Sequence, residues 1–393
     1  MLEPIIDKKY SNFINTLLFL FVLFMNINNT VADIILSILA FIGIYFAIKN
    51  RINPFKEEQL KIIFLITFTY YLISFIVNTI NGAFIAKYIQ TDLYFLLAVF
   101  VAIAITRAKI NINIVLLGMK IALILLGLGY LFSFQVSNSF ISIFAPLTTF
   151  MTFCSILNFN KVELFEKIIG AVALLSGVTL IIDSGIVMSW LTFSALLLIS
   201  FIFFVHKNKI IIFSFFLFFL VALFSINPPE IVKHKTVVVY NQILQWSMGD
   251  RINTSVGLRL EMYKSSSEAF EEEPFFGHGY LQGTKVVAKY ADPKVSGIIS
   301  QFVQLHSEYV TTIIEKGVVG FISLLILLFV PFYVFFNNYI KRDVYSMLGI
   351  FVSISFITFG MFNASFGDTS MKACYVFFLC ILLPRSSSKR KAN

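Results

Sequence analysis

The chain has 393 residues, of which 58% are hydrophobic and 13% charged, whereas a water-soluble domain carries about 45–50% apolar and about 25% charged residues. So little charge cannot cover a solvated surface, which excludes a soluble globular protein and leaves a membrane protein. The net charge of +9 is then read as orienting charge in cytoplasmic loops rather than as a nucleic-acid footprint.

Apolar stretches of membrane-spanning length follow in chain order near residues 12–28, 31–48, 62–80, 93–106, 114–132, 140–157, 168–182, 186–205 and 210–226. After a polar segment come 310–336, 344–362 and 370–383. No small-residue cleavage site follows the first stretch, so it reads as an uncleaved anchor. Lys and Arg alternate between loops. One set carries Lys8/Lys9, Lys49/Arg51/Lys56/Lys61, Arg107/Lys109, Lys161/Lys167, Lys207/Lys209, Lys341/Arg342 and the tail from Arg385. The other set of short loops holds Lys87, with Lys372 at the edge of the last span. This asymmetry places both termini in the cytoplasm. The predicted fold is an all-α integral membrane protein with about twelve transmembrane helices and one long periplasmic loop containing short helices. The organisation expected is a membrane domain over 1–226, a periplasmic loop carrying the active site over 227–308, and a membrane domain with a basic cytoplasmic tail over 309–393.

A polar loop of that length is unusual as a plain connector. Within it, Ser255 is placed to cap a helix over about 256–273 that Pro274 stops. Leu258, Met262, Ala269 and Phe270 fall on one face of that helix, and Arg259 and Tyr263 are neighbours at helical spacing. Phe275-Phe276-Gly277-His278-Gly279-Tyr280 reads as a glycine turn between aromatics. Three cysteines, Cys154, Cys374 and Cys380, lie in apolar stretches, so the loop has neither a disulfide framework nor a Cys-based metal site. No HExxH, DxD, Walker or CxxC pattern occurs there, and no metal or cofactor is expected.

Of the four histidines, His206 and His234 sit among lysines as surface charge, and His278 sits between turn glycines, to touch a ligand or face water. His306 stands in His306-Ser307-Glu308-Tyr309, where a span begins. A helix entering the bilayer there turns free N–H groups toward the boundary and favours an anion, such as a lipid pyrophosphate. A neutral imidazole also accepts a proton from a sugar hydroxyl; the plainer role is an interfacial anchor. Arg259 has two readings as well: a bidentate phosphate fork, or an ion pair with Glu261 or Asp250. Arg251 shares the ambiguity.

The run from Gly257 to Tyr263, Ala269-Phe270, and Pro274-Phe275-Phe276-Gly277-His278-Gly279 resembles the loop signature of the O-antigen ligase and polymerase superfamily. His306-Ser307-Glu308-Tyr309-Val310 and Ile314-Glu315-Lys316-Gly317-Val318-Val319-Gly320 resemble that family's histidine and its Glu–Gly turn. The layout, with the long loop between the ninth and tenth spans, is similar too.

The resemblance implies a metal-independent inverting glycosyltransferase of the bacterial inner membrane. Such an enzyme moves O-antigen polysaccharide from undecaprenyl pyrophosphate to a sugar hydroxyl of lipid A–core, at the periplasmic face. The family's arginine matches Arg259, which would hold the pyrophosphate, and its histidine matches His306, which would activate the acceptor. Arg251, Tyr263, Gly277, His278, Gly279, Glu308 and Tyr309 are expected to line the substrate site. Partners are the lipid-linked donor, the lipid A–core acceptor and membrane lipids, with no nucleic acid.

Many members carry a second arginine in a Ser-Arg-Gly motif before the eighth span; this chain has Asp183-Ser184-Gly185-Ile186 there. Lys87, Lys372, Arg251 or the Lys233/Lys235 pair would have to supply that charge, or it is absent. An O-antigen polymerase and a protein O-oligosaccharyltransferase are the neighbouring readings. A transporter or flippase would instead show ionisable residues in mid-membrane and broken helices, whereas the spans read as nearly charge-free.

Overall fold

The computed structural model describes residues 7–25, 29–82, 86–132, 138–158, 164–204, 229–250, 252–339 and 344–386. Among the described residues there is no strand. The α-helices run in order α1 (Lys8–Phe24), α2 (Asn29–Lys49), α3 (Glu58–Ile80), α4 (Ala86–Thr106), α5 (Ile112–Leu131), α6 (Asn138–Asn158), α7 (Leu164–Asp183) and α8 (Val187–Phe204). Then follow α9 (Pro229–Ser247), α10 (Ser255–Glu272), α11 (Gly283–Tyr290), α12 (Pro293–Ile299), α13 (Glu308–Tyr339), α14 (Val344–Gly360) and α15 (Thr369–Ser386).

Helices α2, α3, α5, α7 and α13 are long and apolar enough to cross a bilayer, and shorter apolar stretches occupy α4, α6, α8 and α14. The all-helical, multi-pass expectation therefore holds. The stretch 210–226, read as the ninth span, lies outside the described residues, as do Lys207 and Lys209.

Packing divides into two cores. The larger lies among the apolar helices, where α4 sits between α2 and α15 and α13 between α3 and α14. Tyr70, Phe95, Phe366 and Tyr375 meet edge to face there, with centroids 4.9–5.5 Å apart when Phe356 is included. Charge sorts to the two ends of α4. At its start, Asp92 is buried against Lys372. At its end, the Arg385 guanidinium donates to the Ile105 carbonyl at 3.0 Å, a cation on the negative end of a helix. The two ends are about 20 Å apart at the rise of an α-helix.

The smaller core belongs to the segment between α8 and α13. Met262, Ala269, Val287, Val295, Ile299 and Leu305 are buried in it, with Leu258 and Phe270 packed against them, and Ile314 joins it to α13. The apolar face expected for α10 is therefore its packed face. The cap is one residue earlier than expected: Thr254, not Ser255, accepts from the Gly257 N–H at 3.0 Å. Thr254 has the extended backbone a capping residue needs, while Ser255 is already helical. Glu261, buried on the same helix, accepts from the Trp246 indole and from the Asp292 N–H, each at 3.0 Å. It thereby ties α9, α10 and α12 together.

Candidate functional site

Helix α13 is broken near its start, and the break organises the site. Gly317 has φ 62° and ψ −167°, a conformation open to glycine alone among ordinary residues. The turn orphans carbonyls before it and N–H groups after it, which cannot be left unpaired at depth in the protein. The glycine turn of the preceding segment takes them up. His278 N–H and Gly279 N–H donate to the Ile314 and Glu315 carbonyls at 3.0 and 2.8 Å. Val318 N–H and Val319 N–H donate to the Pro274 and Phe275 carbonyls at 2.8 and 3.3 Å. The two sequence blocks, Pro274–Gly279 and Glu315–Gly317, are one structural unit.

That unit is pinned to α3. The Asn78 side chain accepts from the Tyr280 N–H at 2.8 Å. The Glu315 carboxylate accepts from the Leu281 N–H at 3.0 Å and also from the Gly283 N–H at the start of α11. The Lys316 ammonium reaches the other way, donating to Ser74 Oγ at 2.8 Å and Tyr70 Oη at 3.1 Å.

Beneath the segment, where α3, α4, α13 and α15 converge, lies a cavity of about 460 Å³. Its wall carries Asp92, Glu308, Glu315 and Asp368 together with Lys316 and Lys372. Lys372 Nζ stands 2.5 Å from Asp92 Oδ1. Glu308 accepts from the Phe366 N–H at 2.8 Å and from Thr312 Oγ1 at 3.3 Å. The expectation of nearly charge-free spans is thus corrected: ionisable groups from three apolar helices meet at one end of the bundle. Each lies close to the end of its apolar run, where hydropathy averaging hides a single charge. Their placement near apolar helix ends on one side was a usable signal, since ionisable residues in membrane helices are functional candidates by default.

His306 precedes this wall, with φ 54°. The Tyr263 hydroxyl donates to its backbone carbonyl at 3.0 Å, and Phe302 meets its ring edge to face at 5.2 Å. Burial, and then the Arg259 guanidinium, hold the imidazole below its usual value of 6.5, so it is largely neutral near pH 7. Tyr263 is shifted upward by burial, which outweighs the lowering influence of Arg259. Arg259 therefore neighbours both groups. Its Nε is shielded from solvent with no hydrogen-bond partner among the described residues. Glu261, weighed as its ion-pair partner, is instead held by Trp246 and the Asp292 N–H, with Lys264 at 3.6 Å.

The other expected residues separate. Glu308 faces the cavity. Tyr309 turns toward α14, its hydroxyl donating to the Ile357 carbonyl at 3.0 Å. The His278 ring is bonded through Nε2 to the Ala269 carbonyl at 2.8 Å, stapling the turn to α10. Gly277 and Gly279 build the turn, with φ 64° and 90°. Arg251 lies outside the described residues, and of the side chains of Lys87, Lys233, His234 and Lys235 nothing is described. Two of the N–H groups expected to be free at the start of α13 are already used: Glu308 N–H donates to the Asn363 carbonyl at 3.1 Å, and Val310 N–H to Ser307 Oγ at 3.4 Å.

The chain thus combines an all-helical architecture with several apolar helices, a broken apolar helix sealed by a helical segment, and a half-buried histidine near an arginine. Residues 171–325 match the family model described as O-antigen ligase, a range that takes in Arg259, His306 and the break at Gly317. The match agrees with the resemblance of this chain to the O-antigen ligase superfamily. The chain is also 25% identical, over 346 residues, to an uncharacterized protein of Haemophilus influenzae, covering 83% of this chain and 85% of that one.

Proposed function

We propose that the protein is an O-antigen ligase. It transfers polysaccharide from undecaprenyl pyrophosphate to a sugar hydroxyl of lipid A–core, as a metal-independent inverting glycosyltransferase. The observation that carries this reading is His306: its backbone is held by Tyr263, burial and Arg259 favour its neutral form, and its chain neighbours Gln304 and Glu308 line a cavity at the end of the helical bundle. In this reading the chain has about twelve spans in the inner membrane with both termini cytoplasmic. The segment 227–308 and the cavity then face the periplasm. Arg385 at the opposite end of α4 from Asp92 supports that polarity.

The chemistry follows from the residues. His306 takes the proton of the acceptor hydroxyl as its oxygen attacks the anomeric carbon of the donor sugar. The bond from that carbon to the pyrophosphate oxygen breaks on the opposite face, and undecaprenyl pyrophosphate leaves with the electron pair. Arg259, whose Nε is shielded and unsatisfied among the described residues, stabilises the charge gathering on the leaving group with a planar fork of donors. A groove of about 550 Å³ is lined by Ile34, Ile38, Phe41, Leu93 and Leu97, the last two on the helix that gives Asp92 to the cavity, and its apolar wall suits the polyprenyl chain.

The deciding experiment is a lipopolysaccharide gel from a deletion strain complemented with wild type or His306→Ala. Bare core, with accumulated lipid-linked polymer, restored by wild type alone, is the expected result. Core bearing one repeat unit would assign a polymerase instead. An unchanged ladder would overturn the reading in favour of protein glycosylation or transport.

A further inference from the structure

The two ammonium groups of the cavity wall are already engaged, Lys372 with Asp92 and Lys316 with Ser74 and Tyr70. A pyrophosphate placed there would have to draw one of them from its partners. A guest rich in hydroxyl donors meets the reverse situation. An ionised carboxylate offers about four lone-pair sites, and the rings of Tyr70, Tyr280 and Phe366 supply apolar wall between them. The volume of about 460 Å³ falls within the roughly 300–1,000 Å³ of small-molecule sites. Val303 and Gln304 on one side of His306 in the chain, and Glu308 on the other, all belong to the wall. His306 itself is not part of the wall, but it lies in the chain between residues that are.

We propose that this cavity is a carbohydrate subsite that receives the acceptor sugar, with Asp368 and Gln304 binding its hydroxyls while one hydroxyl is turned toward His306. The donor's pyrophosphate is left to Arg259, outside the cavity wall. This assignment rests on the transferase reading above. Asp368 combines two tasks: Oδ1 accepts the Ser370 N–H at 2.9 Å at the start of α15, and the residue is part of the cavity wall. Gln304 is anchored through Nε2 to Asn363 Oδ1 at 2.8 Å, which leaves its carbonyl oxygen to accept from a hydroxyl.

The two tasks of Asp368 can be separated. Asn caps a helix as well as Asp does, so Asp368→Asn keeps the start of α15 and removes the charge. The test uses the full chain in nanodiscs and saturation-transfer NMR, with methyl glucopyranoside, methyl galactopyranoside and inorganic pyrophosphate as probes. Thermal unfolding of each variant confirms that it is folded. The expected result is saturable glycoside binding by wild type, weakened about tenfold or more in Asp368→Asn and in Gln304→Ala, as loss of a charge-assisted or buried hydrogen bond predicts. Pyrophosphate binding stays unchanged in both. Absence of glycoside binding by wild type, or equal binding by both variants, would overturn the subsite. So would tighter pyrophosphate binding by Asp368→Asn, which would make the cavity the anion site. Glycoside binding with this pattern, but no transfer from a polyprenyl-pyrophosphate donor in the same preparation, would sink the transferase reading and leave the sugar site standing.

Discussion

A β-carbon on Gly277 would stand 2.6 Å from the backbone nitrogen of Gly317, and one on Gly317 would stand 2.3 Å from the carbonyl of Phe275. The two glycines lie back to back, each in the left-handed region, so neither tolerates even a methyl group. Gly277→Ala and Gly317→Ala are each expected to cost at least about 1–3 kcal/mol from backbone conformation alone, before the clash is counted. Thermal unfolding in detergent measures this. Gly297, whose β-carbon would meet nothing within 4 Å, provides the control: Gly297→Ala should be neutral or slightly stabilising. Equal melting of all three variants would contradict the packed turn.

The proton-accepting role of His306 has a pH signature. Its folded value is depressed, by burial first and Arg259 second. The imidazole therefore stays neutral down through about 6.5, the ordinary value, and protonates only below it. Transfer should hold steady from pH 8 to about 6.5 and fall at more acid pH. The same sign applies to stability: the contribution is present above the unfolded value and lost as pH falls through the folded one. His306→Ala should lose about 10²–10⁴-fold in rate, and a rate profile rising toward acid would exclude the histidine as base.

Arg259 is predicted to act through geometry as well as charge. Arg259→Lys keeps one positive charge and loses the fork, so transfer should drop by about tenfold or more while the protein stays folded. The readout is the initial rate against donor concentration. Full activity of the lysine variant would show that a point charge suffices.

The Lys372–Asp92 pair is buried on both sides, at 2.5 Å. Removing one partner strands a charge, so Lys372→Met or Asp92→Asn alone should destabilise by about 3–5 kcal/mol. The double variant should cost clearly less than the sum, a coupling that a double-mutant cycle reads directly. Additive losses would mean that the pair is not coupled.

The sequence made the helical class legible through apolar run lengths, and the face of α10 through the spacing of Leu258, Met262 and Ala269. The cap was missed by one residue because Thr254 and Ser255 are both good capping types, and only backbone conformation separates them. Tyr263 bonds the His306 carbonyl, and Arg259 acts on both groups. The cavity did not announce itself. Asp92 and Lys372 are 280 residues apart, and each is a lone charge at the edge of an apolar run. His278 looked like a ligand contact because histidine between glycines is accessible in an extended chain; its bond to the Ala269 carbonyl exists only once the turn has closed on α10.

The break in α13 also sets an order of assembly. Until residues 274–279 dock, the chain at Gly317 has open carbonyls at Ile314 and Glu315 and open N–H groups at Val318 and Val319, each costing about 1–3 kcal/mol if buried without a partner. The segment that closes them, and Asn78 of α3 that anchors it, are both synthesised before α13. A nascent chain thus delivers the seal ahead of the gap. A circular permutant that began at α13 would reverse that sequence and have to park an incomplete helix at the membrane while waiting for its mate.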